Sequence, residues 1–221
     1  MHNIKNEFKE VGEFLSKRVN LNQIIDEYGE KGYIIFENIF SENLCNEFIN
    51  KIDELEQEII GHEVNYGGTE LRIWKAHNKN KIFEEFKFFS DNISSKVFSK
   101  DMSAFDILAI RNRSIKQVKK DVSSGRWHID SFSPQFKAFL FLTKTNEESG
   151  PFEFIPGSNK FPFKLKSALK GEYFSPKDFV KGGRKYQHIS NEYVDIVKQA
   201  EPSKPLLVSK GTLVFIDTSC Y

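Results

Sequence analysis

Residues 125–131 read GRWHIDS, and within them His128 and Asp130 stand two apart. On an extended backbone, side chains at i and i+2 leave the same face, so an imidazole and a carboxylate lie side by side. Such a pair can chelate one borderline-hard divalent metal. A second His from a distant strand would complete the 2-His-1-carboxylate triad of non-haem Fe(II) oxygenases, with positions left for a 2-oxo acid and O2. Taken alone the pair is weak evidence. With 5 His and 10 Asp in 221 residues, chance supplies a His-x-Asp in roughly a quarter of such chains. The ordinary alternative is a solvated loop histidine beside a turn aspartate.

The surroundings add weight. QFKAFLFLT (135–143) alternates, placing Lys137, Phe139 and Phe141 on one face. A lysine among aromatic rings either meets an anionic partner or snorkels from a sheet edge. Upstream, Arg111 and Arg113 share a strand face; their planar guanidinium forks suit an anionic substrate or co-substrate, or else a solvated edge. Trp127 is read as core packing beside the pair, and Arg72 and Trp74 as candidates for a substrate mouth.

These residues need a scaffold, and hydrophobic periodicity supplies one. Ile4, Phe8, Val11 and Leu15 predict a helix over 4–19, and a second, over 21–31, stops at Gly32. YIIFE (33–37) reads as a strand. Ser41 then caps a helix carrying Leu44, Phe48, Ile52, Leu55 and Ile59, and another helix spans 81–97. From about residue 104 the texture changes: FDILAIRNRSI, KAFLFLT, FEFI and LLVSKGTLVFI are short, aromatic or β-branched, and punctuated by Gly, Pro and Ser. Helices first and strands afterwards predict an α+β, mainly β chain: one domain over 1–221, helical to about 100 and a jelly roll from about 101.

WHID, KAFLFLT, SGPFEFIPGSNK and GTLVFIDTS, in that order, resemble the phytanoyl-CoA dioxygenase family of Fe(II)/2-oxoglutarate-dependent oxygenases, and EKGYIIFENIFSENLCNEFINKIDEL (30–55) is similar to the family's first strand and helix. The resemblance spans roughly residues 25–221. It implies a double-stranded β-helix, a cupin-like jelly roll buttressed by N-terminal helices. It also implies His128 and Asp130 as ligands of Fe(II), 2-oxoglutarate as co-substrate, and hydroxylation of a small organic or acyl substrate by O2. Phe139 matches the position where a ring packs against 2-oxoglutarate, and Lys137 is carried with it as a co-substrate contact. Arg111, on the preceding strand, joins them as a co-substrate contact on the strength of its own guanidinium fork. Asp130 argues against the halogenating branch, where that carboxylate is replaced, and the resemblance implies a structural role for Asp217, positioning the turn after its strand.

In the family, the strand matching LVFIDTS runs into the distal metal-binding His, and an Arg that grips 2-oxoglutarate follows about a strand later. On that pattern the third ligand would come just after Tyr221, where this sequence stops. The expectation is therefore a C-terminally truncated oxygenase, inactive as it stands. His2, His62 and His77 precede the strand-rich part; His188 is the remaining downstream candidate. Two other readings stay open: a non-catalytic cupin-like binding module that has lost its iron site, and an isomerase or hydrolase built on His128, Asp130 and His188.

Composition limits the partners. Lys+Arg 32 against Asp+Glu 31 leaves no basic excess for nucleic acid or a membrane surface. Two cysteines, no signal-peptide pattern and no long apolar run point to a cytoplasmic protein. An unpaired C-terminal strand edge is expected to invite self-association.

Overall fold

The computed structural model describes residues 4–18, 21–58, 63–65, 70–98, 100–112, 127–131, 133–169, 191–200 and 202–221. Its helices are α1 (Ile4–Arg18), α2 (Leu21–Lys31), α3 (Glu42–Glu58), α4 (Lys81–Phe98), α5 (Phe161–Leu169) and α6 (Asn191–Ala200). Its strands are β1 (Tyr33–Phe36), β2 (Glu63–Asn65), β3 (Glu70–Ile73), β4 (Ala109–Asn112), β5 (Phe136–Phe141), β6 (Glu153–Phe154), β7 (Lys204–Pro205) and β8 (Thr212–Asp217).

The helical layer forms for the reasons its spacing predicts. Phe8, Val11 and Leu15 of α1, Leu44, Phe48, Ile52 and Leu55 of α3, and Phe83, Phe86, Phe89 and Ile93 of α4 make one buried cluster. Phe8 sits at its centre, with its ring 5.4 Å from that of Phe40 and 5.5 Å from that of Phe89. Ser41 caps α3, its hydroxyl accepting from the Leu44 amide at 3.1 Å. Glu7 accepts from the Ser41 amide and hydroxyl at 2.6 and 2.9 Å, fastening α1 to the start of α3. Ile59, expected at the end of this helix, lies outside the described residues.

The main sheet has the order β1-β8-β5, antiparallel throughout. Tyr33 faces Ile216 and Phe36 faces Leu213 on one side of β8; Phe136 faces Asp217 and Phe141 faces Thr212 on the other. All six residues of β8 are buried. Its alternation divides them: Leu213 and Phe215 join the helical cluster, while Val214 and Ile216 pack with Phe154, Leu206, Val208, Phe139 and Phe141 on the opposite face. A strand from the helical half thus completes the sheet made by the strand-rich half.

β8 has a hydrogen-bonded neighbour on each side, so the expected unpaired C-terminal strand edge does not exist, and with it goes the basis for self-association through that edge. Two glycines make the connections possible. Gly32 (φ 82°) turns α2 into β1, and Gly211 (φ 81°) turns the chain into β8. A Cβ on Gly211 would lie 2.1 Å from the Phe40 carbonyl oxygen. LLVSKGTLVFI (206–216) was expected to be strand throughout, but only its part from Thr212 belongs to a strand, β8; β7 ends just before it at Pro205, and Gly211 sits in the turn between them. Among the described residues, a second sheet, β2-β3-β4, and the β6-β7 pair complete the strands.

Candidate functional site

Ile129 is buried among Ile155, Tyr193, Val194, Val197 and Tyr221. An extended backbone therefore turns its neighbours His128 and Asp130 the other way. His128 Nε2 and Asp130 Oδ1 are 3.8 Å apart, with about two fifths of the His128 side chain and one third of that of Asp130 exposed. The structure brings the predicted pair together on one face, open to solvent.

Contacts from two other segments hold Asp130. Its amide donates to the Thr218 carbonyl at 3.0 Å, so the turn after β8 is zipped to the pair. Its Oδ2 accepts from Lys137 Nζ of β5. Lys137 thus has the anionic partner its position among aromatic residues demanded. Phe139, two residues on, points into the same layer, its ring 5.5 Å from that of Phe152. Burial is the largest single influence on the Asp130 carboxyl and pushes its pKa up; Lys137, the Thr218 hydroxyl and His128 together outweigh it and leave the pKa below the ordinary aspartate value.

Arg111 goes elsewhere. It was expected to meet the co-substrate, but its guanidinium is taken by two carboxylates of α3, Nη1 donating to Glu56 at 2.9 Å and Nη2 to Asp53. β4 belongs to the second sheet, where α3 lies within reach of the fork. Arg113 and His188 lie outside the described residues. Arg72 pairs with Glu70, and Trp74 is exposed. Trp127 packs against the Ile129 cluster, with the Lys198 ammonium 4.4 Å above its ring.

The turn at 218–221 is held by Asp217 together with Ser158 and Lys164, which sequence reasoning passed over. Asp217 accepts from the Gln135 and Ser219 amides at 2.9 and 3.0 Å and from Asn159 Nδ2 at 3.3 Å, which makes it the structural carboxylate expected. Ser158 accepts from the Tyr221 amide at 2.8 Å, and Tyr221 in turn accepts from the Ile155 amide at 2.7 Å. Lys164 of α5 is buried and donates to Ser219 Oγ at 2.7 Å; burial lowers its pKa, with Asp217 and Cys220 opposing. IPGSN was legible as a turn, but nothing local marks it as the clamp on residues some sixty positions away.

First-row metal–ligand distances of about 2.0–2.2 Å place neighbouring donors roughly 3 Å apart. At 3.8 Å, His128 and Asp130 need to close by less than an ångström, so the pair suits two positions of one ion. Among the described residues no group of three or more His, Cys, Asp or Glu is placed to hold a metal. The same residues include no helix long and apolar enough to cross a membrane.

Comparison with solved structures places the chain among double-stranded β-helix proteins. It is similar to the epimerase SnoN in complex with Fe3+, alpha ketoglutarate and nogalamycin RO, at 14% identity and TM-score 0.59, with 90% of this chain and 75% of that one covered. It is similar to HygX from Streptomyces hygroscopicus with nickel and 2-oxoglutarate bound, at 15% identity and TM-score 0.57, covering 91% and 79%. It is also similar to EctD from S. alaskensis with 2-oxoglutarate and 5-hydroxyectoine, at 13% identity and TM-score 0.60, covering 90% and 67%. No curated protein matches the sequence. The family model described as Phytanoyl-CoA dioxygenase (PhyH) matches residues 28–221, a span that includes the main sheet, the His128–Asp130 pair and the turn zipped to it: the chain belongs to the phytanoyl-CoA dioxygenase family.

Proposed function

We propose that this chain carries the metal-binding face of an Fe(II)/2-oxoglutarate-dependent oxygenase that hydroxylates a small organic or acyl substrate. The observation that supports it most is the placement of His128 Nε2 and Asp130 Oδ1 on one exposed face, 3.8 Å apart, in a member of this family. His128 and Asp130 would be two of the metal's donors. Bound iron with 2-oxoglutarate and O2 supplies the oxidising chemistry.

The chain's own residues supply orientation and shelter. Ile129, buried behind the pair, fixes which way both donors face. Phe139 and the aromatic layer around it form a dry wall against which a 2-oxo acid can pack. An ammonium has three N–H groups, so Lys137 can hold Asp130 and still offer a donor to an anionic co-substrate. Tyr221 lies in the same cluster as Ile129, so a His placed directly after it, the third donor that the family's pattern calls for, would emerge beside the pair. A metal held by His128 and Asp130 alone would be bound weakly.

The test compares this chain with a version carrying one added His after Tyr221, by Mn(II) calorimetry under anaerobic conditions. Tighter Mn(II) binding by the extended chain, lost on His128→Ala or Asp130→Ala, supports the reading. Tight binding by all four proteins refutes it. A second reading is a binding module without iron. It predicts no Mn(II) response to the added His.

A further inference from the structure

We infer that Lys137 is a positioning residue that decides which oxygen of Asp130 faces a metal; this rests on the proposed metal site, and its structural half can be tested apart from it. The two oxygens of Asp130 are not equivalent. Oδ2 accepts from Lys137 Nζ, while Oδ1 is the oxygen turned toward His128 Nε2. A free carboxylate rotates about χ2 and can chelate an ion through both oxygens, which would spend a second coordination position. With Oδ2 held, Asp130 presents one oxygen, and a position that a co-substrate needs stays open.

The holder is itself well anchored. Lys137 stands on β5, opposite Ile216 of the central strand, and Asp130 is tied through its amide to Thr218, two residues beyond Ile216. The holder is therefore referenced to β8 and the ligand to the turn that directly follows it. The opposite expectation is also physical. An ammonium beside the carboxylate repels a divalent ion, and if that effect governed, removing it would tighten binding.

The experiment uses Lys137→Met, which keeps the stem and removes the ammonium, and Lys137→Arg, which restores a donor. Both are compared with the unmodified chain in the His-extended background, by crystallography without metal and by Mn(II) titration without 2-oxoglutarate. In Lys137→Met the Asp130 carboxylate should turn, losing the 3.8 Å approach of Oδ1 to Nε2, and Lys137→Arg should retain it. Mn(II) affinity should fall roughly 10- to 100-fold in Lys137→Met and recover in large part in Lys137→Arg. An unmoved Asp130 in Lys137→Met, or equal or tighter Mn(II) binding, overturns the inference. If no protein binds Mn(II) yet Asp130 turns only in Lys137→Met, the positioning role stands and the oxygenase reading falls.

Discussion

Replacing Asp217 tests how the turn beside the pair is built. Its carboxylate is buried and accepts three hydrogen bonds: from the Gln135 amide, the Ser219 amide and Asn159 Nδ2. Asp217→Ala leaves those three donors without that acceptor in a space water does not readily enter. At about 1–3 kcal/mol for each stranded donor, with partial relaxation, the cost should be roughly 3–6 kcal/mol. Asp217→Asn is different. Its Oδ1 can keep both amides, and only the bond to Asn159 is challenged, because two NH2 groups then face each other. Asn159 can answer by flipping its amide: its Oδ1 has no hydrogen-bond partner among the described residues, so the flip sacrifices no existing bond of that oxygen. The expected cost of Asp217→Asn is about 1–2 kcal/mol. Urea unfolding followed by far-UV circular dichroism reads both variants, with unchanged m-values as the condition for comparing them. Equal losses in the two variants, or a loss below about 1 kcal/mol in Asp217→Ala, would refute the reasoning.

Other consequences are as direct. Burial is the main reason the Cys45 and Cys220 thiols are pushed up to about 11 from an ordinary value of 9.0. The folded state holds these protons where the unfolded chain releases them, so stability is intact below about pH 9 and falls as pH rises through 11. Each thiol contributes at most roughly 2–3 kcal/mol to that fall. Urea midpoints at pH 7 and 10.5 should diverge in the unmodified chain and converge in Cys45→Ala/Cys220→Ala; equal divergence in both proteins contradicts the assignment. Gly211→Ala combines a left-handed backbone with a Cβ 2.1 Å from the Phe40 carbonyl oxygen and should lower Tm by roughly 5–10 °C. Gly150→Ala, also at positive φ but with nothing within 4 Å of its Cβ, should lose clearly less, and similar losses in the two would remove the steric explanation.

Much of this protein is written in short-range sequence. α1 to α4 follow from apolar spacing, Gly32 and Ser41, because a helix is closed by bonds between residues four apart and its buried face is visible as a period. The pairing of His128 with Asp130 is legible for the same kind of reason, since strand alternation puts i and i+2 on one face. What touches them is not. Lys137 is claimed by Asp130, while Arg111, of equal promise by charge and spacing, is claimed by Asp53 and Glu56 of α3. A cation's type says that it will find an anion, but sheet membership and helix packing say which one. The same holds for β1 against β8 and for the clamp of Ser158 on Tyr221. Those contacts join distant segments, their energy depends on register and on the turn geometry at Gly32 and Gly211, and only the folded chain brings the partners within bonding distance.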